Sequence, residues 1–191
     1  MISGPKRKLA AIIEPEQFVT VFKETSKSFE KKLLDAWNDT SLYTQVMLGH
    51  RKNESLLQNV AGILELEYYT EYWNIDAVFY KNRDKNYPDE PPYAEYLSIV
   101  LEHENMAPGA YEEVYKLSTY NSPLKVLITY PDSNKHEVYL KEYSEILLKS
   151  DVFDDFTTDR KHLMIFGEKI KDQLKWRCYF WTENGFKEIN S

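Results

Sequence analysis

The sequence predicts a mixed α/β architecture, a central β-sheet flanked by helices. Two observations carry this. Apolar residues recur at helical spacing through the first third of the chain, while later short runs are apolar, β-branched or aromatic and bounded by turn formers. Between Tyr96 and Tyr130 the order is strand, helix, strand, which calls for a parallel pair. At 191 residues, with 42% hydrophobic and 29% charged residues, the chain fits one folded domain and not a disordered one.

Pro15 opens a helix in which Phe18, Phe22, Phe29, Leu33 and Trp37 fall near one stripe, to about Asn38. A second short helix follows Thr40. Asn53 is the expected N-cap of a third, whose stripe runs Leu56, Leu57, Val60, Ile63, Leu64 and Glu67. Tyr68–Trp73 and Ile75–Tyr80 then read as a β-hairpin hinged near Asn74. Residues Lys81 to Pro92 are rich in turn formers and read as a loop before the strand Tyr96–His103. Pro108 begins a helix through Tyr111, Val114, Tyr115 and Leu117, and Pro123 precedes the strand Leu124–Tyr130. Ser133 or Asn134 caps a further helix, with Val138, Leu140, Tyr143, Ile146 and Leu147 inward. Leu163–Phe166 and Trp176–Trp181 are late strands, and Asn184-Gly185 turns into a last short one. A single domain over 1–191 therefore divides into a helical part (1–52), a core (53–130) and a closing helix with strands (131–191).

The net charge of −7 argues against broad, high-affinity phosphate-backbone binding, although Lys6-Arg7-Lys8, Lys31-Lys32 and Arg51-Lys52 are local basic clusters. Cys178 has no second cysteine to pair with and lies in an apolar run, which suits a reduced thiol in a cytoplasmic protein. No run of 18 apolar residues occurs, so no membrane partner is expected. No glycine-framed serine elbow or phosphate loop appears.

The chemistry gathers at Leu101-Glu102-His103-Glu104-Asn105. Side chains alternate along a strand, so Glu102 and Glu104 share one face and His103 takes the other as a hydrogen-bonded structural residue. Asn105 is expected to bond the backbone at the strand end. Asp76 interrupts the apolar run Ile75–Tyr80, where an acid is costly to bury. If those strands are neighbours, Asp76 and Glu102 converge. Oxygen ligands without a second histidine or cysteine suit magnesium or manganese, not zinc.

This order, a helix with an acid, a hairpin with Asp76, a strand ending in Glu102-His103-Glu104, a helix and a strand, resembles the PD-(D/E)xK nucleases. It spans roughly Glu54 to Tyr130. The resemblance implies a restriction-endonuclease-like αβββαβ core with added N-terminal helices and C-terminal strands. It makes Asp76 and Glu102 metal ligands and catalytic residues, with Glu65 or Glu67 as the helix acid that completes the metal site. Glu104 stands where the motif has lysine, and Ile75 where it has proline. Lys116, on the following helix, is the replacement cation, and Glu104 would orient the attacking water. The implied activity is magnesium- or manganese-dependent phosphodiester hydrolysis on DNA, with a homodimer compatible with the family. The alternative is a non-catalytic protein of the same fold, or an acidic inhibitor or immunity-type factor whose carboxylates meet a basic protein partner. Glu112 and Glu113 are explained by the helix dipole. Pro88-Asp89, Pro131-Asp132 and Glu30-Lys31-Lys32 match pieces of the motif outside its strand context.

Overall fold

A computed structural model describes residues 12–49, 54–81, 96–153 and 155–189. Three helices come first: α1 (Pro15–Ala36), α2 (Thr40–Leu48) and α3 (Leu56–Ile63). Pro15 sits in the first turn of α1, and Phe18, Phe22, Phe29 and Leu33 are buried along its stripe. The Asp39 side chain caps α2 by accepting from the Leu42 N–H at 3.0 Å. The strands are β1 (Glu67–Tyr72), β2 (Ile75–Lys81), β3 (Tyr96–Glu104), β4 (Leu124–Thr129), β5 (Lys161–Ile170), β6 (Gln173–Thr182) and β7 (Gly185–Glu188). Helix α4 (Ala110–Ser118) joins β3 to β4, and α5 (His136–Ser150) joins β4 to β5.

All seven strands form one sheet in chain order. The pairs β1–β2 and β2–β3 are antiparallel, β3–β4 and β4–β5 parallel, and β5–β6 and β6–β7 antiparallel. The mixed sheet follows from the connections: the two parallel steps are those crossed by a helix, and the other directly connected strands turn back on themselves. Helices α1–α3 cover one face, packing on Ala77, Phe79, Ile99, Leu101, Val126 and Ile165. Helices α4 and α5 cover the other, against Val78, Val100, Leu127, Met164 and Phe166. Strand alternation then assigns Asp76 and Glu102, in phase with Val78 and Val100, to the α4 face. Among the described residues no helix is long and apolar enough to cross a membrane.

Several local expectations change. The N-cap of α3 is Ser55, whose hydroxyl accepts from Gln58 N–H at 3.2 Å, while Asn53 lies outside the described residues. The same helix stops at Ile63 because Glu65 adopts φ 56° and Leu66 N–H bonds back to Ala61 at 2.9 Å, a six-to-one helix end. Glu65 and Glu67 are therefore not helix acids. Helix α5 starts at His136 after a short 3₁₀ turn (Ser133–Lys135), without a side-chain cap from Ser133 or Asn134. That start sets the phase His136, Tyr143, Leu147 inward and leaves Val138 62% exposed. The late strands are longer than expected, meeting at a turn where Lys171 takes φ 57°. The turn-rich segment 82–95 lies outside the described residues.

Candidate active site

The β2–β3 register pairs Ala77 with Leu101, so Asp76 and Glu102 lie one residue beyond that rung in opposite directions along the chain and on the same side of the ladder. Their carboxyl groups are near enough for each to act on the other, and Asp76 Oδ2 accepts from His103 N–H at 2.8 Å. From the crossing helix, Lys116 places its ammonium 2.8 Å from Glu102 Oε1 and pairs as well with Glu113, one turn earlier. Glu102 is 1% exposed, whereas Lys116 and Glu113 reach solvent.

Burial dominates the electrostatics. It pushes the Glu102 carboxyl up to about 9, with the Asp76 charge adding to the effect and Lys116 opposing it. Asp76 is raised by burial too, held back by the His103 amide, the Glu102 carboxyl and Lys116. The ion pair with Lys116 and the high Glu102 value pull in opposite senses. Desolvation of two adjoining carboxyls outweighs one half-exposed ammonium, so Glu102 holds its proton at neutral pH. Lys116 is raised because both glutamates favour its charged form more than burial disfavours it.

Glu104 lies on the same strand face, but its Oε1 accepts from Met106 N–H at 2.7 Å and closes the turn after β3. Glu67 pairs with Tyr80, four residues along β2 from Asp76, a distance of about 13 Å at strand rise. Glu65 is exposed at the end of α3. The structure thus brings Asp76, Glu102 and Lys116 together and leaves Glu104, Glu65 and Glu67 apart from them. His103 points to the other face, as its alternation requires. Its Nε2 lies 2.8 Å from Tyr130 Oη, its ring stacks on Tyr43, and burial lowers it to about 4, so it is a neutral core residue. Asn105 bonds the Thr44 hydroxyl at 3.1 Å instead of backbone.

Glu113 is the residue that sequence reasoning missed. The available signal was its place three positions before Lys116, which puts both on one helix face, but a helix-dipole role explained it equally well.

Among the described residues no group of three or more His, Cys, Asp or Glu side chains forms a ready metal cage. Magnesium does not need one, since it binds through one or two carboxylates, waters and substrate phosphates. Fully ionised, Asp76, Glu102, Glu113 and Lys116 carry a net −2, which the proton on Glu102 reduces to −1 and a divalent cation would cancel. The donor set therefore fits a hard dication that displaces the proton. No protein-family model matches this chain, and no curated protein is similar to it at a significant level.

Proposed function

We propose that the protein is a metal-dependent phosphodiester hydrolase acting on DNA, built on a restriction-endonuclease-like core. The observation that carries this reading is the adjoining Asp76–Glu102 pair on the α4 face, with Lys116 delivered to it by the helix that follows the glutamate strand. The order α3, β1, β2, β3, α4, β4 supports it, being the αβββαβ succession of the PD-(D/E)xK nucleases. Asp76 and Glu102 would hold magnesium or manganese, which when bound polarises a phosphoryl oxygen and acidifies a water. Lys116 takes the part of the motif lysine, its ammonium offsetting negative charge that builds on the phosphoryl oxygens. Glu113 keeps Lys116 charged and aimed at the pair. Glu104 acts here as a positioning residue, since one oxygen is committed to the turn that aligns β3 with α4.

Isothermal titration with Mg²⁺ or Mn²⁺ tests the site. Binding should release close to one proton, read from buffers of different ionisation enthalpy, and Asp76→Ala should abolish it. Cleavage of plasmid and single-stranded substrates should need the metal and be lost in Glu102→Gln. Equal, negligible heats in wild type and Asp76→Ala would remove the metal site.

A second reading has its own support. Lys116 already lies against both Glu102 and Glu113, and the chain carries −7 overall, as a non-catalytic protein binding a basic partner would. Negligible metal heats with an intact fold would favour it.

A further inference from the structure

Trp73 is the most exposed of the four tryptophans, at 75%. It forms, with Asn74, the two-residue turn between Tyr72 and Ile75, which pair across β1 and β2. Both turn residues lie in the left-handed region, Trp73 at φ 48° and Asn74 at φ 67°. Such a turn favours Asn, Asp or Gly, and Asn74 suits it. A bulky residue at the first position is strained, and its ring gains no burial in return. Two costs fall on one side chain, three residues before Asp76.

The turn is also fixed to the acid pair from the other side. The Tyr120 hydroxyl donates to the Trp73 carbonyl at 2.8 Å, and Tyr120 follows α4, close enough to Glu102 for that carboxyl's charge to act on its phenol. The indole is thus carried on a braced turn at the rim of the site.

We propose that Trp73 is a stacking platform for an unpaired base, which makes single-stranded nucleic acid the substrate class; this rests on the phosphodiesterase reading above. Among the described residues of this corner the acids Glu71, Asp76 and Glu113 outnumber the cation Lys116, even with Glu102 protonated. Without a bound metal such a rim repels phosphates, and a duplex more, because its two strands carry a charge every ~1.7 Å; with a dication bound the charge is nearly cancelled and still adds little phosphate affinity. Affinity then has to come from a base face, and stacked duplex bases do not offer one.

The test is fluorescence anisotropy of labelled oligo-dT of about ten nucleotides and of a duplex of equal length, with Ca²⁺ in place of Mg²⁺ to suppress turnover. Wild type should prefer the single strand, with a shallow dependence on salt. Trp73→Ala should weaken that binding roughly 5- to 100-fold, the range of one lost base stack, and Trp73→Phe should keep most of it. Metal-linked proton release should be unchanged in Trp73→Ala, showing an intact acid pair. Equal single-strand affinity in wild type and Trp73→Ala overturns the proposal; if the alanine variant also loses self-association in sedimentation, the ring belongs to an interface between copies. Magnesium-dependent cleavage that survives with no effect of Trp73→Ala sinks the stacking platform and leaves the phosphodiesterase standing. Single-strand binding that depends on Trp73, without any metal-dependent cleavage, does the reverse.

Discussion

Glu102 has an ionisation set by its surroundings. Its ordinary value near 4.5 rises to about 9 in the folded chain, so between those pH values the folded protein holds a proton that the unfolded chain releases. Stability from this group is complete below pH 4.5 and is lost as pH climbs toward 9. The melting temperature should fall by on the order of 10 °C across that interval, Glu102→Gln should flatten the slope, and saturating Mg²⁺ should flatten it in wild type. A slope unchanged by Glu102→Gln would assign the proton elsewhere. Lys125 poses the opposite case. Its ammonium is fully buried, finds no hydrogen-bond partner among the described residues and rests 4.4 Å from the Phe156 ring centre; burial, with Arg160 adding, lowers it to about 8. The unfolded chain keeps this proton up to about 10.5, so stability rises with pH from 8 to 10.5 and the penalty is complete below 8. Lys125→Met should stabilise the protein by roughly 1–3 kcal/mol at pH 7, with a shrinking gain at higher pH, measurable by urea denaturation. At this scale much of the site was legible. An aspartate inside an apolar run and a glutamate at the end of another announce themselves, and Lys116 follows once the helix phase is known. Burial of Lys125 was not legible, because its fate depends on Phe156 and Arg160 lying close to it, which local pattern does not encode.

Gly167 shows how an element can depend on a missing atom. A Cβ there would lie 2.5 Å from Tyr130 Cε1 and 2.7 Å from Trp176 Cζ3, both closer than packed carbons approach. Those rings belong to an edge-to-face chain with Trp37, Tyr43 and His103 that seats α1 and α2 on the sheet. Gly167→Ala should cost about 1–3 kcal/mol and redden the tryptophan emission as Trp37 and Trp176 loosen. Unchanged stability would mean that Tyr130 has room to swing away. Elements with a strong period were the readable ones: α1 from Pro15, and the strands β2, β3 and β4. Their ends were less so. The end of α3 turns on Glu65 accepting a left-handed conformation usually given to glycine, and the start of α5 turns on His136 being buried against Glu168 at 2.8 Å and Phe166, a contact from a strand 30 residues later. Hydrophobic spacing could not foresee either, so the acids of α3 were misplaced and Val138 was put on the inward face of α5, while Leu140, Tyr143, Ile146 and Leu147 do face the core.

At the scale of the molecule, the sheet makes the two sides of the core interdependent. In β2, Ala77 and Phe79 pack under α1–α3 while Val78 and Tyr80 pack under α4 and α5; β3, β4 and β5 divide their side chains in the same way. Neither layer can loosen without exposing the apolar back of strands that the other layer needs. The acid pair sits inside this arrangement, held by β2, β3 and α4 together, so its chemistry depends on the whole sheet keeping register. Heat should therefore unfold the described fold in one cooperative step. Far-ultraviolet circular dichroism, which follows the helices and strands, and near-ultraviolet signals, which follow the aromatic packing, should give superimposable transitions, with calorimetric and van't Hoff enthalpies equal. An early near-ultraviolet transition with the helical signal intact would show that one layer detaches first. In that event the α1–α3 layer and the remainder would be separable units, and the burial that raises Glu102 would no longer be tied to global stability.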